Sequence, residues 1–81
     1  MRIDKFLKVS RILKRRTLAQ EATSSGRISV NGKIVKPAYQ IKVGDIIEVA
    51  FNSGAIKFRV LDVKDTVKKE QVDSLYEIIG E

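Results

Sequence analysis

The stretch that decides the fold runs from residue 1 to residue 36, opening MRIDKFLKVSRILKRRTLAQEA (residues 1–22) and closing GRISVNGKIVK (residues 26–36). It carries ten basic and two acidic side chains, a net charge of +8. Residues 37–81 hold six bases and eight acids, so the first half alone accounts for the overall charge of +6. Such an asymmetry is typical of a polyanion-binding face carried on a supporting scaffold.

The opening residues predict a short first helix, from about Ile3 to Arg11. Apolar side chains recur at helical spacing, and Asp4 is placed to cap the first turn or to orient basic neighbours. A base recurs every third residue, at Arg2, Lys5, Lys8, Arg11 and Lys14. Because this row drifts around an α-helix, it forms one face only if the helix is short or ends near Ser10.

A second helix is predicted to begin near Arg15 to Thr17. Thr17 and Gln20 have the spacing of a capping box, and Gly26 is a good left-handed cap at the far end. Small side chains on one face of this helix allow close packing on the first.

The rest of the chain predicts an antiparallel sheet. Asn31-Gly32 is a type I′ hairpin dipeptide between two short apolar strands. Gly44-Asp45 turns the chain into a strand over residues 46–51. Residues 52–54 form a predicted three-residue loop, and the partner strand covers residues 55–63.

Near the C-terminus the spacing of Val72, Leu75, Tyr76 and Ile79 predicts a last helix, capped by Asp65 or Thr66. This helix either closes the thin core, which is the simpler interpretation, or binds a partner. We therefore predict an α+β fold with two N-terminal helices packed on a small antiparallel sheet, plus a C-terminal helix. It forms one domain, residues 1–81, with a core motif over 1–50 and a hairpin strand and helix over 51–81.

The composition excludes several kinds of site. The chain has no cysteine and no histidine, so disulfides, thiolate zinc sites and imidazole or thiol catalysis are excluded. No metal or other cofactor is expected. No apolar run is long enough to span a bilayer, and we expect a cytoplasmic protein.

The candidate ligand-binding residues are basic and lie in the first half: Arg2, Lys5, Lys8, Arg11, Arg15, Arg16, Arg27 and Lys33. On charge alone, nucleic acid, an anionic membrane surface and an acidic protein all remain open as the partner. Arginine can fork onto phosphate oxygens, and helix starts offer free amides to the same anion. Asn31-Gly32 serves mainly as a turn. Tyr39 either stacks on a base or, more simply, packs at the sheet edge. Few other aromatics interleave with the bases, so for a nucleic-acid partner a folded RNA is favoured over a single strand.

Several motifs in this order resemble the S-four (S4) type of RNA-binding domain, the alpha-L fold. They are RIDKFL (2–7), RTLA (16–19), GRISVNG (26–32), Pro37 and VGDIIEV (43–49). Together they cover about the first fifty residues. Where this family often has Ser or Thr ahead of its second helix, the chain has Arg15. The short length, with KRRTLA (14–19) and LDVKDTVKKE (61–70), is similar to the small S4 proteins of bacterial ribosome-associated quality control.

The resemblance implies a non-enzymatic, ribosome-associated factor in which the eight basic residues named above bind RNA. Such proteins bind stalled large ribosomal subunits that carry peptidyl-tRNA, and they contact large-subunit rRNA and P-site tRNA. With a partner, RqcH, they support alanine tailing of the nascent chain. A more distant resemblance, to the fifteen-kilodalton heat-shock S4 protein, implies instead the recycling of obstructed large subunits without tailing. Off the ribosome we expect a monomer.

Two other classes are less well supported by the residues. An enzyme would need paired carboxylates or a lysine as acid and base, and the acids are scattered over the second half. A membrane-surface or acidic-protein adaptor would need an exposed apolar face beside the bases. The first helix instead uses Phe6 and Leu7 for its own core.

Overall fold

A computed structural model describes residues 1–80 and shows two helices packed on one antiparallel sheet. In chain order the elements are α1 (Ile3–Val9), α2 (Arg16–Ser24), β1 (Ile28–Val30), β2 (Lys33–Ile34), β3 (Ile46–Phe51), β4 (Gly54–Val60), a 3-10 helix (Lys69–Ser74) and β5 (Tyr76–Gly80). The strands lie in the order β2-β1-β3-β4-β5. The predicted α+β class with two N-terminal helices on a small sheet is confirmed.

Helix α1 ends earlier than the sequence predicts. The amide of Ser10 donates to the carbonyl of Phe6 at 2.8 Å, and its hydroxyl donates to the carbonyl of Leu7 at 3.3 Å. The next residue, Arg11, has a φ of 63°, which is left-handed and uncommon outside glycine, asparagine and aspartate. The chain therefore turns sharply at Arg11, and the every-third row of bases is not carried around a longer helix.

Helix α2 begins at Arg16 without a side-chain cap, because its N-cap position is the extended residue Arg15. The capping box predicted from Thr17 and Gln20 is wrong: Thr17 already lies inside the first turn, and Gln20 donates to a side chain of α1 instead. The predicted end is right, since Gly26 follows the helix with a φ of 80°.

The Asn31-Gly32 hairpin is confirmed. Both residues have positive φ, 51° and 86°, as a type I′ turn requires, and they join the antiparallel strands β1 and β2. The side chain of Asn31 also forms hydrogen bonds with residues outside the hairpin. Its Nδ2 donates to Oδ1 of buried Asp45 at 3.2 Å, and its Oδ1 accepts from the amide of Ile46 at 3.0 Å. The residue that makes the turn thus also ties it to the start of β3.

Strands β3 and β4 form the second hairpin with a tighter turn than predicted. Phe51 pairs with Gly54, so two residues rather than three form the turn, and β4 ends at Val60 rather than Val63. The side chain of Phe51 is 44 % exposed. Phe51 therefore lies outside the core, whereas Phe58, on the neighbouring strand, is fully buried.

The predicted C-terminal helix is wrong. Its residues divide between the short 3-10 helix and β5, which pairs with β4 through Phe58↔Ile78 and Val60↔Tyr76. Strand β4 would otherwise leave a seven-residue edge unpaired, and the Tyr-Glu-Ile-Ile run has strong β-propensity. Leu75 fits the predicted helical spacing and is fully buried in the observed structure. The segment does close the core.

The core lies between the helices and the sheet, and it consists of thirteen buried apolar side chains: Ile3, Phe6, Leu7, Ala19, Ile28, Val30, Val35, Ile41, Ile47, Val49, Phe58, Val60 and Leu75. The start of the chain is also fixed by backbone bonds. The amide of Ile3 donates to the carbonyl of Tyr39 at 2.8 Å, and Arg2 forms a β-bridge with Gln40. Among residues 1–80 no helix has the length and apolarity needed to cross a bilayer.

Candidate nucleic-acid interface

A buried carboxylate organises the basic residues at the start of the chain. Asp4, in the first turn of α1, is fully buried. Its Oδ1 accepts from the amide of Lys5 at 2.7 Å and from Nε of Arg2 at 3.2 Å. Its Oδ2 accepts from Nη2 of Arg2 at 3.1 Å, Nε2 of Gln20 at 3.0 Å and Nε of Arg16 at 3.4 Å. One carboxylate therefore binds two guanidinium groups, one from the residue before α1 and one from the first residue of α2.

The ionised form of Asp4 is favoured by these partners. Burial by itself would raise the pKa of this carboxyl group. The hydrogen bonds from Gln20 and the Lys5 amide, together with the charges of Arg16 and Arg2, outweigh burial and lower its pKa below the ordinary value of 3.8. Asp4 is therefore charged at neutral pH and can hold both arginines.

Both arginines bind Asp4 through Nε, and each keeps at least one terminal nitrogen that does not bind this carboxylate. Arg16 is bound to Asp4 through Nε, so neither of its η nitrogens is engaged by this carboxylate. Arg2 is bound through Nε and Nη2, which leaves Nη1 outside the pair. Both side chains remain exposed, at 42 % for Arg2 and 43 % for Arg16. A guanidinium oriented in this way can donate to an anion in solvent, a fork that suits phosphate.

A groove beside this cluster collects further bases. Lys8, Arg11 and Lys14 line it on one side, and the segment 65–67 lines it on the other. From the sequence, the bases at every third residue share one face only if α1 is short. Helix α1 ends at Val9, and the later bases of this row, Lys8, Arg11 and Lys14, line the same groove. Lys5 joins the two parts, since its Nζ lies 3.3 Å from Oδ1 of Asp65 at the groove.

The other predicted RNA-binding residues lie outside this groove. Arg15 is exposed at the start of α2. Arg27 lines a different depression, between α2 and β3, together with Leu18 and Phe51. Lys33 lies at the hairpin, in a groove with Ile34 and Tyr39. The structure thus brings Arg2 and Arg16 together at Asp4, groups Lys5, Lys8 and Arg11 along one edge, and separates Arg27 and Lys33 from them.

Three side chains at this interface were not predicted to be part of it. Lys14 belongs to the every-third row and was the one member that could have been included from the sequence. Gln20 meets Asp4 only because α2 packs on α1, sixteen residues along the chain. Asp65 approaches Lys5 across sixty residues. No local pattern indicates either of the last two contacts.

The arrangement is suited to binding an anion. The bases outnumber the acids, and the buried carboxylate already has its hydrogen-bond partners. In the part of the chain described, residues 1–80, no three acidic side chains lie close enough together to share a metal ion.

Comparison with known proteins identifies the family. The S4 domain matches residues 1–47, which include both helices, the first hairpin and the start of β3. This is the part of the chain that carries the Asp4 cluster and the groove bases. The Vibrio cholerae heat shock protein 15, whose structure is described as trimeric, has the same fold: it superimposes with a TM-score of 0.90 at 24 % identity, over 98 % of this chain and 81 % of the other.

Several relatives match over the whole chain. The RQC P-site tRNA stabilizing factor of Streptococcus pneumoniae is 49 % identical over 81 residues, which is all of this chain and 92 % of that protein. The protein of the same name from Bacillus subtilis is 48 % identical, over all of this chain and 94 % of that protein. The chain therefore belongs to the S4 domain family, and its full-length relatives within that family are RQC P-site tRNA stabilizing factors.

Proposed function

We propose that this protein is an RNA-binding factor of ribosome-associated quality control that stabilises P-site tRNA on stalled large ribosomal subunits. The observation that carries the proposal is the full-length similarity, at 49 % and 48 % identity, to two proteins named for that activity. The similarity extends beyond the S4 match, through residues 48–81. It therefore concerns the whole chain and not only a widespread RNA-binding module.

The basic interface supports an RNA ligand. Arg2 and Arg16, fixed by Asp4, supply rigid forks for backbone phosphates. Lys8, Arg11 and Lys14 add point charges in the adjoining groove. Structured RNA is read largely through its backbone and 2′-hydroxyl groups. A rigid basic edge of this kind is suited to a junction between large-subunit rRNA and peptidyl-tRNA.

The finer steps of the proposal follow from the same family. The factor is non-enzymatic, acts in the cytoplasm on the large subunit and works with RqcH, which supports alanine tailing of the nascent chain. The alternative is a heat-shock-type role, in which the protein rescues obstructed large subunits and no tail is added. The two differ in whether the bound subunits carry alanine-tailed peptides.

Variants of Arg2 or Arg16 alone do not separate binding from folding. Removing either arginine deletes a candidate phosphate contact and also takes a positive partner from a fully buried carboxylate. The second effect alone destabilises the fold. Lys8 and Arg11 are better test positions because they are exposed and pair with no acidic side chain among residues 1–80.

Arg11→Asn is a sharp substitution for this purpose. Asparagine tolerates the left-handed conformation that Arg11 adopts, so the charge is removed without new backbone strain. The double variant Lys8→Ala/Arg11→Asn should keep its free energy of unfolding within about 0.5 kcal/mol of the wild type. Lys69→Ala is the control for position, because it removes one exposed base from the C-terminal half.

The test is sedimentation of tagged protein from gently lysed cells through a sucrose gradient, with analysis of the RNA and peptides in each fraction. We expect the wild type and Lys69→Ala to travel with free large subunits, tRNA and peptides ending in alanine runs. The double variant should shift towards the top of the gradient. Large subunits without alanine runs would favour the recycling role, and absence of the wild type from ribosomal fractions would contradict both.

The strength of the phosphate contacts can be measured separately. Binding to purified large subunits should weaken with salt, at a logarithmic slope of about −0.7 to −0.9 for each phosphate neutralised. The double variant should have a shallower slope by about 1.4 to 1.8 if both side chains contact phosphate. An affinity that does not change with salt would contradict phosphate binding.

A further inference from the structure

The groove at the first hairpin has a composition different from that of the α1 edge. It combines an aromatic ring, Tyr39, with the apolar side chain of Ile34 and two bases, Lys33 and Lys36. Ile34 is 70 % exposed and Tyr39 is 37 % exposed. The hydrophobic effect favours covering such side chains, yet nothing within residues 1–80 covers them.

The ring of Tyr39 stands on a fixed backbone. Its amide donates to the carbonyl of Lys36 at 3.0 Å, and its carbonyl accepts from the amide of Ile3 at 2.8 Å. The second bond connects the groove to the start of α1, next to Arg2. The backbone that carries the ring is therefore tied to the start of α1, which also carries the candidate phosphate-binding cluster.

The charges at this groove favour an anionic ligand. Lys33 and Lys36 are exposed, and neither pairs with an acidic side chain in the described chain, residues 1–80. Phosphate next to a planar, stackable group is the chemistry of a nucleotide. An aliphatic or acidic peptide would use the apolar surface or the lysines but would not need the aromatic face.

We propose that this groove holds one unpaired nucleotide of the bound RNA, with its base against Tyr39 and Ile34 and its phosphate beside Lys33 and Lys36. The inference rests on the proposed RNA-binding function and adds a second mode of contact to it. The α1 edge binds backbone phosphates, whereas the hairpin groove recognises a base that has left its helix. Unstacked bases of this kind are commonly held on aromatic side chains.

The groove should show little preference between bases. Asn31, the amide side chain at this position, already donates to Asp45 and accepts from Ile46. It is therefore held away from reading the hydrogen-bonding edge of a base. Stacking on Tyr39 is tolerant of sequence, because every base has a π-face.

The test uses the full chain and two RNA hairpins that are identical except for one bulged adenosine. Affinities are measured by fluorescence anisotropy for the wild type and for Tyr39→Leu, which keeps an apolar side chain but removes the ring. We expect the wild type to bind the bulged RNA more tightly, and Tyr39→Leu to lose about 5- to 20-fold in affinity for that RNA alone. Tyr39→Phe should keep the preference.

Two controls distinguish the groove from the rest of the surface. Phe51→Leu removes an aromatic ring of similar exposure that lies outside the hairpin groove, and it should leave the preference for the bulged RNA unchanged. Arg11→Asn should weaken binding to both RNAs by the same factor, because it alters only the phosphate contacts.

The inference is overturned if the wild type does not prefer the bulged RNA, or if the preference survives in Tyr39→Leu. If RNA does not change the fluorescence of Tyr39, and an acidic peptide saturates the groove instead, the groove binds a protein partner. That result would also overturn the inference. These RNA measurements need no ribosome. If the groove does not bind a base but the protein still binds large subunits, the proposed function stands. If the groove binds a base but the protein does not bind large subunits, only the proposed function is contradicted.

Discussion

Asp4 and Asp45 are both buried, but they are stabilised in different ways. Asp4 has charged partners: the guanidinium groups of Arg2 and Arg16 lie on it, together with two neutral donors. Asp45 accepts from neutral donors, at 3.2 Å from the side-chain amide of Asn31 and at 3.0 Å from the backbone amide of Lys42. The first carboxylate positions cations, and the second joins two turns.

The difference indicates which parts of the molecule are arranged for a ligand. A neutral amide is sufficient to satisfy a structural carboxylate, and Asp45 has no positively charged partner at ion-pair distance in residues 1–80. Placing two half-exposed arginines on Asp4 is not required by the fold alone. It restricts the motion of the side chains whose outer nitrogens face solvent, which lowers the entropy cost of binding an anion.

The same substitution at the two sites gives the strongest test. Asp4→Asn places an amide NH₂ where two cations and two other donors now converge. We expect it to lower the free energy of unfolding by about 2 to 3 kcal/mol, measured by urea unfolding, because a buried ion pair is broken from one side. It should also weaken RNA binding several-fold, because Arg2 and Arg16 lose their anchor.

If Asp4 acts by positioning the arginines, Asp4→Asn lowers the RNA affinity; if only its charge matters, the same substitution raises it. Removing a negative charge beside a basic surface should strengthen binding to a polyanion if charge alone matters. A variant that remains folded, confirmed by circular dichroism, and binds RNA more tightly than the wild type would contradict the positioning role of Asp4.

Asp45→Asn should have a smaller effect, confined to stability. Asparagine retains one acceptor oxygen, so only one of the two donors, Asn31 or the Lys42 amide, loses its partner. We expect a loss of about 1 to 2 kcal/mol in the free energy of unfolding. RNA affinity, measured on the folded variant, should stay within about twofold of the wild type. A large loss of RNA affinity in Asp45→Asn would mean that the two carboxylates do not differ in their effect on RNA binding.

The contribution of Asp4 should also depend on pH. Its pKa in the folded chain is lowered below 3.8, so its ionised form stabilises the fold in full above the unfolded pKa. That contribution is lost as the pH falls through the lower folded pKa. The stability difference between wild type and Asp4→Asn should therefore be constant near neutrality and shrink below about pH 4, measured by urea unfolding at several pH values. A difference that stays constant down to about pH 3 would contradict this.

Features that depend on neighbouring residues could be predicted from the sequence. The Asn31-Gly32 turn requires only that both residues accept positive φ, and the end of α2 follows from Gly26. Helix α1 was recognised from its apolar spacing. Its early end at a left-handed Arg11 was stated only as a condition, because arginine gives no signal for that conformation.

Features that depend on distant pairing could not be predicted. Leu75 and Tyr76 satisfy a helical pattern, and only the open edge of β4 decides that the chain there forms a strand. In the same way, Asp4 was predicted either to cap α1 or to orient bases, and the choice depends on Gln20 and Arg16 arriving from α2. Composition identified the basic surface but not which bases share a carboxylate.

Asp65 offers the smallest and cleanest contrast with Asp4. Its side chain is 81 % exposed, and its one ion pair, 3.3 Å from Nζ of Lys5, lies at the rim of the basic groove. Exposed pairs of this kind contribute about 0 to 1 kcal/mol, so Asp65→Asn should hardly change urea unfolding. Because Asp65 positions no buried partner, its charge should only oppose a polyanion. The variant should bind large subunits about two- to threefold more tightly at low salt, and this gain should disappear as salt screens the charge.

Asp62→Asn is the matched control, since it also removes an acid that pairs with a lysine, Lys64, but lies outside the groove. Weaker binding by Asp65→Asn would mean that Lys5 must be held by Asp65 to reach RNA, and the positioning role assigned to Asp4 would then extend along the whole edge of α1.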